Sequence, residues 1–249
     1  MFSKALVVCG SLLAGMIWSS ASVKAAEAEL RIGTDGSFSP FVFQKDGAPA
    51  GFDVDIWDAA AKIMGVRYKL LTVDFISLIP ALQTHSLDGA FAGISITSER
   101  SKLVDFSQPY YQSGLSALVR RDSKLTSSAQ IDGARVATKQ ATSSVEYLKA
   151  HAPRAEINSF PSIDAAYQEL LAGHVDAVVF DSPVLAYYAA TVGKGTAKLL
   201  SPPLTSGELY GFAFPQDSDL AIRFDAALRS MRENGQYQSI YEKWFGKAP

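Results

Sequence analysis

The feature that most constrains the fold of this 249-residue chain is a regular alternation of strand-like and helix-like segments. Short apolar or alternating runs predict strands, and runs with apolar side chains every three or four residues predict helices. The predicted strands span residues 29–35, 67–73, 88–94, 134–139, 175–180 and 209–214. The predicted helices span residues 53–64, 75–83, 143–151, 162–173, 183–193, 218–235 and 236–246. Such alternation is typical of open, mostly parallel sheets that helices cover on both faces.

One segment of the sequence occurs twice in similar form. Residues 78–95, "LIPALQTHSLDGAFAGIS", and residues 165–182, "AAYQELLAGHVDAVVFDS", each give a helix, a short turn, an aspartate, a buried strand and a polar loop. Two α/β sheets of similar design would explain this repetition. Ligands of such sheets bind beyond the carboxyl ends of the strands, so we expect binding residues in the loops "TDGSF", "AGIS", "TKQATS" and "VFDSP".

The first 25 residues differ from the rest of the chain. Lys4 precedes the apolar run "ALVVCGSLLAGMIW", and small residues surround a Val-x-Ala site at Val23–Ala25. This layout predicts a secretory signal peptide over residues 1–25, cleaved near Ala25 or Ala26, with an N-terminal anchor helix as the alternative. Cys9, the single cysteine, lies in this segment, so the mature chain has no thiol for a disulfide, a nucleophile or a metal. We therefore expect an exported, periplasmic protein.

Composition and motifs give little support to catalysis or to nucleic-acid binding. The net charge is −2 and no dense basic run occurs, so no nucleic-acid partner is expected. The mature chain has no nucleophile elbow, Walker loop or dinucleotide-binding fingerprint. Three histidines lie on polar turns or helix ends without metal-ligand spacing: His85, His151 and His174. Three acidic residues have the spacing of a helix start and lack the calcium-loop pattern: Asp53, Asp55 and Asp58. We expect no enzyme, no cofactor and no metal.

The stretch "AGISITSER", residues 92–100, is a candidate anion site. Thr97 or Ser98 is typical of a helix N-cap, which places Arg100 in the first helical turn. A cation is slightly unfavourable at that end of a helix, unless the free amides and the guanidinium bind one anion together. The alternatives are that Arg100 is solvated or pairs with Glu99 or Asp105.

Small and hydroxylated neighbours fit the anion site. Ser95 adds a hydroxyl, and the small turn at Ala92 and Gly93 lets the backbone approach a ligand closely. A guanidinium is a planar, two-pronged donor that matches a carboxylate. These groups together would hold one carboxylate.

Other loops supply aromatic and acidic candidates. Asp35 and Phe38 follow the first strand, Phe75 begins a helix, and Asp181 precedes a helix that Ser-Pro opens. The aromatic side chains could be core residues, and Asp181 could simply support the start of its helix. If Asp181 faces Arg100 across a cleft, however, the two would hold an ammonium and a carboxylate, the charge pattern of a free amino acid.

Four stretches carry a family resemblance: "GFDVDIW", "DFISLIPALQT", "AGISITSERSKLVDFSQPYYQSG" and "LRSMRENGQYQSIYEKWFG". They closely resemble bacterial periplasmic glutamine-binding proteins of the polar amino acid family (family 3) of ABC-transporter solute-binding components. The resemblance covers essentially the whole mature chain. It implies a type II periplasmic binding protein-like fold, in which two doubly wound α/β lobes are joined by a two-strand hinge. Lobe 1 would comprise residues 27–110 and 209–249, lobe 2 residues 114–205, and the hinge residues 110–114 and 205–209.

The resemblance also implies roles for individual residues. The α-carboxylate would be bound by Arg100, Ser95 and the backbone near Thr142 and Ser143. The α-ammonium would be bound by Asp181 and the carbonyl of Gly93, which follows Ala92 in the small turn. The side chain would be enclosed by Phe38 and Phe75, and its far end would contact Asp35 and Lys139.

The far end of the site bears on which amino acid binds. A carboxamide needs an acceptor and a donor, which Asp35 and Lys139 would supply; glutamate would oppose Asp35, and lysine or arginine would oppose Lys139. If the two residues pair with each other, the pocket suits another ligand. Two positions depart from the glutamine-binding pattern, Phe180 replacing a histidine and Ser143 replacing a glycine.

The sequence therefore predicts a monomeric periplasmic protein that captures a polar L-amino acid, glutamine first. Its lobes would close on the ligand and deliver it to an ABC permease in the inner membrane. The alternatives are a binder of a basic, acidic or small polar amino acid on the same scaffold, and a periplasmic lyase of the cyclohexadienyl dehydratase type. A lyase would need a general acid in the cleft, and the sequence offers no obvious carboxylate beyond the binding set.

Overall fold

The computed structural model describes Met1 and residues 29–247. Apart from Met1, the predicted signal peptide lies outside the described residues. Within them, no helix is both long and apolar enough to cross a bilayer.

The described residues form fourteen strands and seven α-helices. The strands are β1 (Leu30–Thr34), β2 (Ser37–Phe38), β3 (Val42–Lys45), β4 (Ala48–Ala50), β5 (Tyr68–Thr72), β6 (Gly89–Ser95), β7 (Asp105–Phe106), β8 (Tyr111–Ser113), β9 (Leu115–Arg120), β10 (Arg135–Lys139), β11 (Glu156–Phe160), β12 (Ala177–Asp181), β13 (Ala197–Leu199) and β14 (Glu208–Phe214). The helices are α1 (Phe52–Met64), α2 (Phe75–Gln83), α3 (Ser143–His151), α4 (Ile163–Ala172), α5 (Ser182–Ala190), α6 (Asp219–Glu233) and α7 (Gln236–Phe245).

Two α/β lobes are built on separate sheets. The first sheet has the order β5-β1-β6-β14-β7, with β8 also paired to β14, and the second has the order β11-β10-β12-β9-β13. Each sheet begins with three parallel strands and continues with antiparallel ones. The expectation of mostly parallel sheets is therefore only half right. The strands β14 and β9, which adjoin the segments that connect the two lobes, run antiparallel to their neighbours.

The segment that occurs twice in the sequence forms the same substructure in both lobes. In each, a helix leads to a central strand that pairs in parallel with the second strand of the sheet order, β6 with β1 and β12 with β10. The repeated aspartate makes the same contact twice. Asp88 accepts from the backbone and guanidinium of Arg31, and Asp176 does the same from Arg135, with Nη2–Oδ1 distances of 3.0 and 2.8 Å. The repetition is thus structural and places equivalent strand ends in both lobes.

Several strands have no counterpart in the sequence prediction. The β9 strand, "LSALVR", is nearly all buried and therefore lacks an alternating pattern, while β2, β3 and β4 are two to four residues long. Periodicity over so few residues, or over a fully buried run, does not distinguish a strand from other structures.

Two strands connect the lobes. The chain leaves the first sheet through β8 and returns through β14, and these strands pair antiparallel with Ser113 opposite Glu208 and Tyr111 opposite Tyr210. Residues of both strands therefore lie where the lobes meet. The Tyr210 hydroxyl donates to Ser113 Oγ at 2.9 Å, which adds a side-chain contact between the strands.

The helix α1 packs one face on the lobe 1 core. Trp57 is fully buried and stacks on Phe224 of α6, with ring centroids 5.7 Å apart. The acidic residues of this helix make structural contacts, as we expected from their spacing at the start of a helix. Asp55 accepts from Lys243 and Trp244 of α7, and Asp58 accepts from Lys62 and Tyr68.

Asp53, by contrast, is completely buried and fixes a loop. Its Oδ2 accepts from the Gly93 N–H at 2.9 Å, and its Oδ1 accepts from the Tyr110 hydroxyl at 2.8 Å. Burial raises the pKa of Asp53 to about 7, against the two hydrogen bonds, which lower it. Asp53 thus ties the end of β6 to the start of the passage between the lobes.

Replacing Asp53 tests this role. Asp53→Ala leaves two buried donors without an acceptor, so the free energy of unfolding should fall by about 2–5 kcal/mol. Asp53→Asn should cost less, because its amide oxygen can accept from Gly93 while its nitrogen donates to Tyr110. Urea unfolding of both variants measures the difference, with the exposed Asp122→Ala as a control that should change little. Equal losses for the two Asp53 variants would contradict the proposed role.

Candidate functional site

A cavity lies between the lobes, at the carboxyl ends of β6, β10 and β12. Eleven of the twelve residues proposed from the sequence line it, and both lobes contribute. They are Phe38, Phe75, Ala92, Gly93, Ser95, Arg100, Lys139, Thr142, Ser143, Phe180 and Asp181. Asp35, the twelfth, lies behind Lys139 and contacts it.

The local structure around Arg100 differs from the expected helix. Only a three-residue 3-10 turn, Arg100–Lys102, forms there. The Thr97 hydroxyl does accept from the Arg100 N–H, at 3.2 Å, as a capping side chain would. A turn this short has no appreciable macrodipole, so the guanidinium itself must supply the positive charge of the site.

The Arg100 guanidinium is directed into the protein. Its Nη1 donates to the Ser95 carbonyl at 2.9 Å, and its Nη2 donates across the cleft to the Ala141 carbonyl at 3.0 Å. A guanidinium has five N–H groups, so these two bonds leave donors for a ligand. Burial lowers the pKa of Arg100, while the carboxylates of Asp181 and Glu208 raise it. Arg100 is therefore neither solvated nor paired with Asp105, which accepts from the Asp217 N–H instead.

Asp181 is the buried acid of the site. It ends β12, is 5% exposed, and its Oδ1 has no hydrogen-bond partner among the described residues. Burial and the nearby Glu208 carboxylate raise the pKa of Asp181 to about 7, whereas the nearby Tyr210 hydroxyl and the charges of Arg100 and Lys139 lower it. A buried carboxylate oxygen without a donor is costly, and a cation that reaches it would be bound strongly.

The turn at Gly93 requires glycine. Gly93 has a φ of 55°, and a Cβ there would lie 2.2 Å from Cε1 of Phe38. The Gly93 N–H donates to the Asp53 carboxylate, and Gly93 lines the cavity. Phe38 in turn meets Phe180 edge to face across the cleft, with ring centroids 5.7 Å apart. The two aromatic rings thus form one wall of the cavity.

Asp35 and Lys139 pair with each other, which is the alternative that the sequence left open. The Lys139 Nζ lies 2.7 Å from Asp35 Oδ2, and both side chains are nearly inaccessible to solvent. The other oxygen of Asp35 accepts from the Ser37 N–H at 2.6 Å. Both oxygens of Asp35 thus already have a donor within the protein, and Asp35 does not line the described cavity, so its contact with a ligand stays a prediction. Lys139 keeps a donor, because an ammonium has three.

Phe75 lies beside both cations of the site. Phe75 is the first residue of α2, and its ring centroid lies 5.5 Å from Cζ of Arg100 and 5.4 Å from Nζ of Lys139. Cations near a ring face are attracted by its negative quadrupole, so the ring steadies both groups.

The loop between β10 and α3 is held by its own hydroxyls. Thr142 Oγ1 donates to the Lys139 carbonyl at 2.6 Å and lies 2.7 Å from Ser144 Oγ. Ala141 has a φ of 59°, which is uncommon for a residue with a Cβ, and its carbonyl accepts from Arg100. Since the Thr142 hydroxyl is engaged within the loop, this loop can offer a ligand its backbone amides at the start of α3.

Several residues that shape the site were not recognised in the sequence. Asp53 was interpreted as part of a helix start, although its burial could be suspected from the apolar residues around it. Glu208 and Tyr210 belong to a segment whose part in the site appears only when the lobes come together, and Ala141, within the expected loop "TKQATS", had no role of its own assigned. Asp164 receives a 2.9 Å hydrogen bond from Ser37 of the other lobe, and an exposed acid on a helix gives no sequence signal for such a contact.

The described residues contain no group of three or more histidine, cysteine, aspartate or glutamate side chains that could hold a metal ion. Their histidines are exposed, and two contact their own helix or the turn beside it. His174 Nδ1 lies 2.8 Å from Glu169, and His151 Nδ1 lies 3.1 Å from the Tyr147 carbonyl.

Comparison with known proteins identifies the family. A model of the bacterial extracellular solute-binding proteins, family 3, matches residues 30–247. The L-arginine-binding protein of Pseudomonas aeruginosa is 34% identical over an alignment that covers 97% of this chain and 96% of that protein. The ABC transporter glutamine-binding protein GlnH of Bacillus subtilis is 34% identical over 82% of this chain and 75% of that protein.

Solved structures agree with these relatives. An ancestral arginine-binding protein bound to glutamine superposes with a TM-score of 0.83 and is 37% identical, covering 88% of this chain and 98% of that chain. The relatives are mostly arginine-binding proteins, with the glutamine-binding protein as one among several, so the comparisons support an amino acid-binding family member and leave the glutamine specificity unconfirmed. The fold, the position of the cavity and the match over residues 30–247 together show that the chain belongs to the bacterial extracellular solute-binding proteins, family 3.

Proposed function

We propose that this protein captures a free polar L-α-amino acid, glutamine first, in the periplasm and delivers it to an ABC importer in the inner membrane. No chemistry on the ligand is involved. The predicted signal peptide supports export, and a monomer is the form we expect to meet the permease.

The charge arrangement of the cavity carries this proposal. Arg100 of lobe 1 and Asp181 of lobe 2 line the same cavity, and each alters the pKa of the other. Arg100 has donors left for an α-carboxylate, and Asp181 Oδ1 is an acceptor left for an α-ammonium. A zwitterion satisfies both at once, whereas a sugar or a dicarboxylate satisfies at most one of them.

The far wall favours an uncharged side chain. The buried pair of Asp35 and Lys139 is neutral as a unit, and the remaining Lys139 donor suits a carboxamide oxygen. A guanidinium or ammonium placed there would meet Lys139 with no free carboxylate to offset it, which is costly at a buried site. Solved structures of an ancestral arginine-binding protein hold glutamine in one case and arginine in another, so that scaffold accepts either ligand.

A basic amino acid is the second candidate ligand. The arginine-binding relatives favour it, and so does the acidic surplus that Glu208 adds to the cavity. Lys139 opposes it. Binding measurements with both ligands decide between them.

Closure of the lobes would enclose the ligand. We place lobe 1 at residues 27–110 and 209–249, lobe 2 at residues 114–205, and the hinge at residues 110–114 and 205–209. The contacts between the lobes support this, because they join loops across the cleft: Asp35 with Lys139, Arg100 with Ala141, and Ser37 with Asp164. A ligand can favour the closed form only through contacts that it makes better in that form.

Thermal shifts against a ligand panel test the proposed function. The purified protein is unfolded, refolded to remove carried-over ligand, and mixed with each common amino acid, several dicarboxylates and several sugars. A ligand at 100 times its Kd should stabilise the fold by about 2.7 kcal/mol, which raises Tm by about 5–10 °C for a chain of this size. We expect the largest shift with glutamine. A response to sugars or dicarboxylates and to no amino acid would overturn the proposal.

The same panel with Arg100→Ala locates the carboxylate site. This variant should lose the response to every α-amino acid while it keeps its fold, because no other group can replace the two-pronged donor. Arg154→Ala, which removes an exposed arginine that pairs with Asp132, is the matched control and should respond like the wild type. A full response from Arg100→Ala would place the carboxylate elsewhere.

The pH dependence of affinity tests the ammonium site. Asp181 must be ionised to bind an ammonium, and its pKa is about 7 with Glu208, Arg100, Lys139 and Tyr210 facing it. Below pH 7, binding must expel a proton, so affinity should fall as the pH decreases, by up to about tenfold per unit. Above pH 7 it should level off.

Calorimetry in two buffers of different ionisation enthalpy measures the released proton directly. Because Asp53 also has a pKa of about 7, Asp53→Asn is the control, and the pH dependence should persist in it. Constant affinity from pH 5.5 to 8.5 would show that Asp181 does not bind the ammonium.

A further inference from the structure

We propose that Glu208 is a specificity-determining residue that excludes amino acids with an acidic side chain, so that the site accepts glutamine and rejects glutamate. The inference rests on the proposed function. Another residue must exclude acidic side chains, because the Asp35–Lys139 pair, which we expected from the sequence to exclude them, is neutral as a unit. The donor that Lys139 keeps would bind the carboxylate of glutamate at least as well as the carboxamide of glutamine.

The contacts of Glu208 hold its carboxylate without neutralising it. Oε1 accepts from the Thr205 hydroxyl at 2.9 Å, and Oε2 accepts from the Ser143 hydroxyl at 3.2 Å. Thr205 Oγ1 in turn accepts from the Leu115 N–H at 2.8 Å, so the carboxylate is fixed between the passage strands and the start of α3. Both groups that hold it are neutral hydroxyls, and its negative charge therefore acts on the cavity.

The position of Glu208 makes that charge effective. It lies on β14 where the lobes meet, raises the pKa of Asp181 and also raises that of Arg100. With Asp35 and Lys139 cancelling and Asp181 ionised, the charges of Arg100, Asp181 and Glu208 sum to −1. A zwitterion leaves that sum unchanged, an acidic ligand makes it −2, and a basic ligand makes it 0. Asp181 is buried, whereas Arg100 and Glu208 are partly exposed, so solvent screens these differences only in part.

Ser143 acquires a role from the same contacts. It occupies the position at which the glutamine-binding pattern has glycine, and its hydroxyl is turned to Glu208. The serine therefore helps to hold the acid, and the extra side chain does not take part in carboxylate binding.

Binding of L-glutamine, L-glutamate and L-arginine to matched variants tests the proposal. Glu208→Gln keeps the size and both hydrogen-bonding partners, and it should shift the glutamate-to-glutamine affinity ratio upward by about tenfold and the arginine-to-glutamine ratio downward. Glu208→Asp should retain the wild-type order. Glu233→Gln, which removes one exposed charge on α6, is the control and should leave both ratios unchanged. Glu208→Ala takes the place of the amide variant if that variant does not fold.

Ser143→Ala separates electrostatics from positioning. It removes one of the two hydroxyls that hold Glu208 and keeps the charge, so the two ratios should shift in the same direction as in Glu208→Gln but by no more than about twofold. An equal change for all three ligands in Glu208→Gln, or a shift in Ser143→Ala as large as that in Glu208→Gln, would overturn the inference while leaving the proposed function intact. A wild-type protein that binds no amino acid would overturn both.

Discussion

The proposed binding site depends on two groups of opposite charge that belong to different lobes and line one cavity, the partly buried Arg100 guanidinium and the buried Asp181 carboxylate. Each loses hydration there, Arg100 keeps N–H donors for a ligand, and Asp181 Oδ1 has no partner among the described residues. A ligand that carries both complementary charges removes part of that cost only when the lobes are together. If the lobes close on the ligand as we propose, binding and closure are coupled through the same contacts.

The repeated α/β unit explains why side chains of both lobes meet at one cleft. In each lobe, two neighbouring parallel strands, β1 and β6 or β10 and β12, point their carboxyl ends to the cleft. At the opposite strand ends an Arg–Asp ion pair has the same arrangement in both lobes, Arg31 with Asp88 and Arg135 with Asp176. Equivalent positions then carry opposite charges: Asp35 follows β1, and Lys139 ends β10. The buried Asp53 completes the arrangement by fixing the turn at Gly93.

The sequence predicted the elements that have strong periodicity and the residues that lie at strand ends. The long helices α1 and α6 and the strands β1, β6, β10 and β12 lie within a few residues of their expected limits. It did not predict β9, because a fully buried strand has no alternation, nor the short turn at Arg100, because hydroxyl caps precede 3-10 turns as well as helices. The pairing of Asp35 with Lys139 and the contacts of Glu208 depend on how two lobes meet, which local sequence does not record.

We propose that the cleft closes only on a zwitterion that is bound at both of its charged groups. Calorimetric titration of the purified protein with L-glutamine, L-glutamine α-amide and N-acetyl-L-glutamine tests that condition by removing one pole at a time from the ligand. The amide has no α-carboxylate for Arg100, and the acetyl derivative has no α-ammonium for Asp181. We expect each derivative to bind at least about 100-fold more weakly than glutamine, since each leaves one buried charge unpaired. Binding of either derivative within a few-fold of glutamine would contradict the central claim.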